Sequence, residues 1–227
     1  MKQILQNLRS GKTELIETPC PNQRDGHLLI ASKNSLISAG TERMLVEFSQ
    51  GGFLAKAKSQ PDKVKQVLEK IKTDGLIPTV ETVFKRLDEP LPLGYCHAGR
   101  VVEAPAAMHQ VQNLNVGDRV VSNGPHAEMV CVPHHLCAKI PDNVSDEAAS
   151  FTVLGAIGLQ GIRLANPTLG ENFVVYGTGL IGLIVVQLLR ANGCHVLAID
   201  LNEKRLELSR SFGAIVCNAS TSDPVAT

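Results

Sequence analysis

The 227-residue sequence has no surplus of charge of either sign. It contains 22 basic and 22 acidic residues, and its isoelectric point is near 7. Proteins that bind nucleic acids or anionic membranes favour a basic surplus, so this balance argues against both kinds of partner. A purely helical fold is disfavoured as well, because 19 glycines and 12 prolines are too many for a helical bundle.

Export signals and long apolar runs are also missing. The first nine residues contain no apolar core of signal-peptide length. The uncharged stretch 172–189 opens with β-branched residues and contains three glycines, which predicts a strand, a turn and a helix instead of a membrane span. The six cysteines are not closely paired, which is typical of free thiols in a reducing compartment, and we expect a cytoplasmic protein. They are Cys20, Cys96, Cys131, Cys137, Cys194 and Cys217.

The chain changes character along its length. Short strand signals fill the first 50 residues and return between 93 and 140, which predicts a barrel-like β unit with a polar loop at 34–42. Between these regions, apolar residues at helical spacing predict a helical insert at about 54–89. Alternating strand and helix signals after 171 predict an α/β unit. We therefore expect one domain at 1–149 and a second at 150–227.

The segment Gly177-Thr-Gly179-Leu-Ile-Gly182 carries the most specific signal. A β-branched strand precedes it, an apolar helix follows it, and Asp200 ends the next strand 18 residues beyond Gly182. In this context the pattern predicts dinucleotide binding. Gly177 permits a tight turn, Gly179 lets the backbone approach a pyrophosphate, and Gly182 lets the helix pack closely on the strand.

The charge at the end of the second strand predicts which dinucleotide binds. Asp200 would accept hydrogen bonds from the hydroxyls of the adenosine ribose and would repel the 2′-phosphate of NADP, so the predicted cofactor is NAD. Arg205 is expected near the adenine ribose. The predicted cofactor-binding residues are Gly177, Thr178, Gly179, Leu180, Ile181, Gly182, Asp200 and Arg205.

With this fingerprint, several further motifs make nearly the whole chain resemble the medium-chain dehydrogenase/reductase superfamily, the group of the zinc alcohol dehydrogenases. They are Ala39-Gly-Thr-Glu42, Pro92-Leu-Gly-Tyr-Cys-His-Ala-Gly99, Val116-Gly-Asp-Arg-Val120, His126-Ala-Glu-Met-Val130 and Lys139-Ile-Pro-Asp142. The resemblance implies an α/β fold with a β-barrel: a GroES-like N-terminal domain followed by a truncated Rossmann domain. It also implies an oxidoreductase that acts on CH–OH groups with NAD(P).

The positions of the catalytic metal depart from the family pattern. The family's first zinc ligand, a cysteine, is replaced by Ala39, and its histidine ligand is replaced by Tyr95. The third ligand has no clear counterpart, and Glu147 is the nearest residue. Because zinc needs three protein ligands, we expect no metal here, although Cys96, His97 and Glu147 leave an unusual site open as an alternative.

A closer resemblance accounts for these replacements. The helical insert, Leu93-Gly-Tyr95 and 148–161 resemble the N-terminal module of bi-domain oxidoreductases, which is zinc-free and associated with bacterial surface-polysaccharide biosynthesis. The resemblance implies that the chain is a fragment, and the three strands after 171, against about six in a full Rossmann sheet, agree. The strand before Gly177 would then be an unpaired edge, so we expect a homo-oligomer.

Without zinc, a side chain must take up the hydroxyl proton of the substrate. Thr41 falls where the family keeps a proton-relay hydroxyl, and Tyr95 falls at a metal-ligand position, so these two are the predicted catalytic residues. The expected function is a zinc-independent, NAD-linked oxidoreductase for a small molecule, a sugar or polyol. A quinone or enone reductase and a non-catalytic cofactor-binding module of a larger protein are the alternatives.

Overall fold

The structure is a computed structural model that describes residues 1–51, 58, 61–62, 64–65, 69, 73, 88–105 and 114–225. The chain divides into two compact units, Met1–Ser150 and Phe151–Thr227. The helical insert predicted at about 54–89 lies almost entirely outside the described residues.

The first unit is built mainly from antiparallel strands. Its strands are β1 (Lys2–Gln6), β2 (Thr13–Glu17), β3 (His27–Ser35), β4 (Leu91–Pro92), β5 (His97–Glu103), β6 (Arg119–Ser122), β7 (Met129–Pro133) and β8 (Cys137–Lys139). Five of them form a sheet in the order β7-β3-β5-β6-β8, and the other three form a sheet in the order β2-β1-β4. Alternating residues of the larger sheet, among them Leu28, Ile30 and Val101, form a buried apolar core, as expected for strands with one face turned inward.

The first unit also contains the helices α1 (Thr41–Gln50) and α2 (Asp146–Ala149) and a short 3₁₀ helix at His134–Leu136. Helix α1 begins inside the segment predicted as a polar loop and fills the end of the region predicted as strand-rich, so both predictions are wrong there. The short helix α2 starts at Ser145, whose side chain accepts a hydrogen bond from the backbone N–H of Ala148. That contact is the N-cap expected from a serine followed by two acidic residues.

The second unit alternates helices and parallel strands. Its elements are α3 (Thr152–Ala165), β9 (Asn172–Tyr176), α4 (Leu180–Ala191), β10 (His195–Asp200), α5 (Glu203–Ser211) and β11 (Ile215–Asn218). The strands pair in the order β11-β10-β9, the predicted arrangement of a doubly wound sheet. Val175, Val186 and Val196 belong to the core that the sheet forms with its helices.

The uncharged stretch 172–189 forms β9, a turn and the first part of α4, as its glycines predicted. Among the described residues, none of the helices has both the length and the apolar character needed to cross a bilayer.

Candidate functional site

The glycine-rich turn joins the carboxyl end of β9 to the start of α4. Gly177 has a φ of +90°, a backbone conformation that favours glycine. A Cβ atom on Gly182 would overlap the carbonyl oxygen of Gly177, so the helix could not approach the strand this closely with any other residue. These two glycines therefore have the turn and packing roles that the motif predicts.

The start of α4 is open in the way that an anion site requires. In the part of the chain that the structure describes, no atom outside the adjoining residues lies within 4 Å of a Cβ built on Gly177 or Gly179. Leu180 and Ile181 begin the helix, Ile181 is exposed, and no side chain caps the helix N-terminus. The first N–H groups of a helix lack partners within the helix and carry partial positive charge, so this end suits a pyrophosphate.

Asp200 lies at the end of β10 and ties this turn to the following one. One oxygen of its carboxylate, Oδ2, accepts hydrogen bonds from the backbone N–H and the hydroxyl of Thr178 at 2.7 and 3.0 Å. The other, Oδ1, accepts from the N–H groups of Leu201 and Asn202 at 2.8 and 2.9 Å. Burial alone would raise the pKa of Asp200, but these hydrogen bonds outweigh it and hold the pKa below its usual value.

The two other polar residues predicted near the cofactor occupy different environments. The Thr178 side chain is fully buried and donates a hydrogen bond to Asp200, so it stabilises the turn and does not face a ligand. Arg205 is exposed in the first turn of α5, and its backbone N–H donates to Asn202 Oδ1 at 3.3 Å. Contact between Arg205 and an adenine ribose stays a prediction.

In the first unit, three hydroxyl groups converge around Tyr95. Tyr95 Oη lies 2.7 Å from Ser38 Oγ and 3.2 Å from Thr41 Oγ1. Because a phenol has a single proton, Tyr95 can donate to only one of these hydroxyls and must accept from the other. We call Ser38, Thr41 and Tyr95 the hydroxyl trio.

Ser38 was not among the predicted site residues. It lies in the predicted polar loop, where several small residues are alike in sequence, and nothing in the local pattern distinguishes it. The structure brings it to Tyr95, 57 positions away along the chain. Thr41 and Tyr95, which the family resemblance singled out, do lie together.

The residues near the family's metal positions do not fit zinc. Ala39 has no ligand atom, and among the described residues no three His, Cys, Asp or Glu side chains cluster so that they could hold a metal. Both ring nitrogens of His97 are engaged, at 2.8 Å from Ser32 Oγ and 2.9 Å from Ser122 Oγ. Burial, with a smaller contribution from the charge of His126, lowers the pKa of His97 to about 4, so its imidazole is neutral at neutral pH.

The chain is similar in sequence to several characterised dehydrogenases, whereas no protein-family profile matches it. It is 29% identical over 164 residues to (R,R)-butanediol dehydrogenase of Bacillus subtilis, which covers 60% of this chain and 46% of that protein. It is 33% identical over 133 residues to an alcohol dehydrogenase of Geobacillus stearothermophilus, which covers 58% of this chain and 37% of that protein. The chain thus spans less than half the length of these relatives.

Solved structures share the fold at low sequence identity. A short chain alcohol dehydrogenase from Escherichia coli CFT073, complexed with cofactor NADH, has a TM-score of 0.74 at 20% identity over 100% of this chain and 64% of its own. The quinone oxidoreductase of Coxiella burnetii has a TM-score of 0.70 at 22% identity, with the same two coverages. The fold class, a GroES-like unit followed by a Rossmann unit, is confirmed.

Proposed function

We propose that the chain is a module of an oxidoreductase of the medium-chain dehydrogenase/reductase superfamily that acts on the CH–OH group of a polyol or sugar. The observation that carries the proposal is the glycine-rich turn at the start of α4: Gly177 has a positive φ that favours glycine, Gly182 has no room for a side chain, and no side chain of the described residues caps the helix N-terminus. In this proposal the domain at 150–227 binds the dinucleotide, and the domain at 1–149 supplies the residues for proton transfer.

A nicotinamide dinucleotide fits the residues of the second unit. Its pyrophosphate would bind the N–H groups at Gly179, Leu180 and Ile181, and its adenosine ribose would lie at Asp200 with Arg205 nearby. When bound, the cofactor supplies or accepts the hydride. NAD is the proposed form, because the low pKa of Asp200 keeps a negative charge where NADP would carry a phosphate.

The hydroxyl trio is proposed to transfer the proton that zinc chemistry handles in the family's metal-dependent members. In the direction of carbonyl reduction, Tyr95 Oη donates its proton to the carbonyl oxygen of the substrate as the hydride reaches the carbonyl carbon. Ser38 and Thr41 orient the phenol by hydrogen bonding and return a proton to it from solvent. In alcohol oxidation each transfer runs in reverse.

The names of the relatives favour a polyol as the substrate. A butanediol dehydrogenase is among the sequence relatives, and a galactitol-1-phosphate dehydrogenase from Escherichia coli shares the fold with a TM-score of 0.71 at 20% identity. Both names describe polyol substrates. The role in surface-polysaccharide synthesis, the cytoplasmic location and the homo-oligomeric state remain predictions from sequence.

A quinone or enone reductase is the second candidate. The Coxiella burnetii quinone oxidoreductase is about as similar in fold as the polyol dehydrogenase, and Ala39 and Tyr95 remove two metal ligands that a reductase of that kind would not need. The third candidate is a cofactor-binding module without chemistry of its own.

The three candidates differ in which substrates turn over. We would measure NAD- and NADP-linked turnover on polyols, sugars and quinones, together with the effect of Tyr95→Phe. For the first candidate we expect polyol turnover whose kcat falls about a hundredfold or more in Tyr95→Phe, the usual contribution of a general acid. Tyr176→Phe is the matched control, since Tyr176 is the other tyrosine of the chain and is mostly exposed.

Turnover of quinones alone would favour the second candidate. Dinucleotide binding without any turnover would favour the third. A protein that binds neither dinucleotide would refute the proposal.

A further inference from the structure

A buried carboxylate–imidazole pair lies behind the hydroxyl trio in the first unit. Glu42 Oε2 is 2.8 Å from His126 Nε2, and each side chain is only 7% exposed. The other ring nitrogen of His126 is 2.8 Å from Ser35 Oγ. Burying such a pair is costly unless each polar atom has a well-placed partner, so its location calls for an explanation beyond simple packing.

Glu42 closes the turn that carries two of the three hydroxyls. Its Oε1 accepts a hydrogen bond from the backbone N–H of Ser38 at 2.7 Å, and its own N–H donates to the Ser38 carbonyl at 3.0 Å. This reciprocal pair of bonds resembles a capping box, in which a side chain and a backbone lock the first turn of a helix. Thr41 lies within that closed turn, so Glu42 sets the positions of both Ser38 and Thr41.

His126 holds the segment that carries the third hydroxyl. Its backbone N–H donates to the carbonyl of Leu93 at 2.7 Å. Gly94 has a φ of +94°, and a Cβ there would lie 2.7 Å from the His126 ring. The imidazole is therefore packed directly against the residue that precedes Tyr95, while its Nε2 contacts Glu42.

From these contacts we propose that Glu42 and His126 are positioning residues that hold Tyr95 at hydrogen-bonding distance from Ser38 and Thr41. The inference rests on the proposed function, in which Tyr95 transfers the proton. The pair acts through geometry, because its link to the trio is the backbone N–H of Ser38, which does not pass protons on. Reacting groups displaced by about 1 Å can lose a hundredfold in rate, so precise placement of Tyr95 has a measurable effect.

The composition of the chain provides a direct probe of Tyr95. The sequence has no tryptophan and two tyrosines, so Tyr176→Phe leaves Tyr95 as the single source of the tyrosine band in near-ultraviolet circular dichroism. That band reports how rigidly the ring is held. In this background we expect Glu42→Ala and His126→Ala to lose half or more of the band.

The same variants should show a split in kinetic parameters. We expect kcat to fall about tenfold or more while the Kd for NAD changes by less than about twofold, because Glu42 and His126 lie in the first unit and the glycine-rich turn lies in the second. If His126→Ala fails to fold, His126→Phe, which fills the space without hydrogen bonding, takes its place.

Glu42→Gln distinguishes positioning from charge. A glutamine oxygen can still accept from the Ser38 N–H, and its amide group can donate to the imidazole, so the geometry survives without the charge. We expect this variant to keep the tyrosine band and most of kcat. Ser49→Ala is the matched control, because it removes a buried hydrogen bond with Gln6 at the other end of α1.

An unchanged tyrosine band and unchanged kcat in folded Glu42→Ala and His126→Ala would overturn the proposal. An equal loss of the band in Ser49→Ala would also overturn it, because general loosening of α1 would then be the cause. Failure of the proposed function appears differently: the unmutated protein would show no turnover, while the tyrosine band would still report on positioning.

Discussion

Replacing Asp200 with serine should abolish the proposed preference for NAD over NADP. The carboxylate accepts hydrogen bonds from Thr178, Leu201 and Asn202, and these hold its pKa below the usual value, so it is negative at neutral pH. Two unit charges 5 Å apart interact by about 3 kcal/mol at an effective dielectric constant of 20 and by about 0.8 kcal/mol in water. Asp200 is partly exposed, so the lower half of that range applies.

A repulsion of about 1.4 kcal/mol corresponds to a tenfold ratio of dissociation constants. We therefore expect the unmutated protein to bind NAD at least about tenfold more tightly than NADP, and the ratio to shrink as ionic strength rises. Asp200→Ser removes the charge and should bring the two constants within about threefold.

The hydrogen bonds of Asp200 add a second effect. A carboxylate has about four acceptor sites, and the backbone and side-chain donors named above occupy all four, so a ribose diol must share them. Serine cannot tie Thr178 to the next turn in the same way. Since this loosening affects the turn for either dinucleotide, we expect it to weaken the binding of NAD and NADP by a similar factor and to leave the expected ratio of their dissociation constants unchanged.

Calorimetric titration of both dinucleotides at low and high salt provides the measurement. Glu203→Gln is the control, since Glu203 is an exposed carboxylate at the start of α5 that contacts Asn218. Equal dissociation constants for NAD and NADP in the unmutated protein would refute the reasoning. An equal change of the ratio in Glu203→Gln would assign the effect to general surface charge instead.

Gly182→Ala should abolish dinucleotide binding and cost about 1–3 kcal/mol of stability, because its Cβ would overlap the backbone of Gly177; thermal unfolding and titration would show it, and unchanged binding would contradict it. Gly155→Ala, in α3 with open space around the new Cβ, should instead stabilise the protein by about 0.5–1 kcal/mol in the same unfolding assay. Elemental analysis should find no stoichiometric zinc, and one zinc per chain would contradict the inference that Ala39 and Tyr95 replace two zinc ligands. Because the pKa of His97 falls from 6.5 to about 4 on folding, the unfolded state binds more protons between these values; stability should decline as pH falls through that window, and His97→Gln should flatten the decline in unfolding curves.

The glycine-rich turn could be predicted from sequence because its signals are local. Gly177, Gly179 and Gly182 lie within six residues, and the neighbouring strand and helix are recognisable from their own periodicity. The same reasoning predicted Asp200 at the end of β10. It did not predict that the Asp200 carboxylate would accept hydrogen bonds from the chain itself. Those bonds depend on where the backbone of Thr178 lies after the turn forms.

The hydroxyl trio could be predicted only in part. Thr41 and Tyr95 were identified through the family's motif positions, whereas Ser38 has no such mark. Helix α1 was not predicted: the first 50 residues were predicted to be strand-rich, and Ala39, Gly40 and Thr41 at its start are small residues whose composition is typical of a loop. Its first turn is closed by Glu42, and the second oxygen of that carboxylate is bound by a histidine 84 positions away.

By itself, the sequence predicted the alternating strands and helices of the second unit, the strand–turn–helix around Gly177 and Gly182, and, from Ala39 and Tyr95, a protein without catalytic zinc, because each prediction follows from periodicity, glycine geometry or residue type over short spans. Only the tertiary structure decided which hydroxyl groups lie next to Tyr95, which residues hold them in place, and which groups donate hydrogen bonds to Asp200. The physical reason is that these contacts join residues 22 to 84 positions apart, and their partners are chosen by how strands and turns pack, which no local pattern encodes.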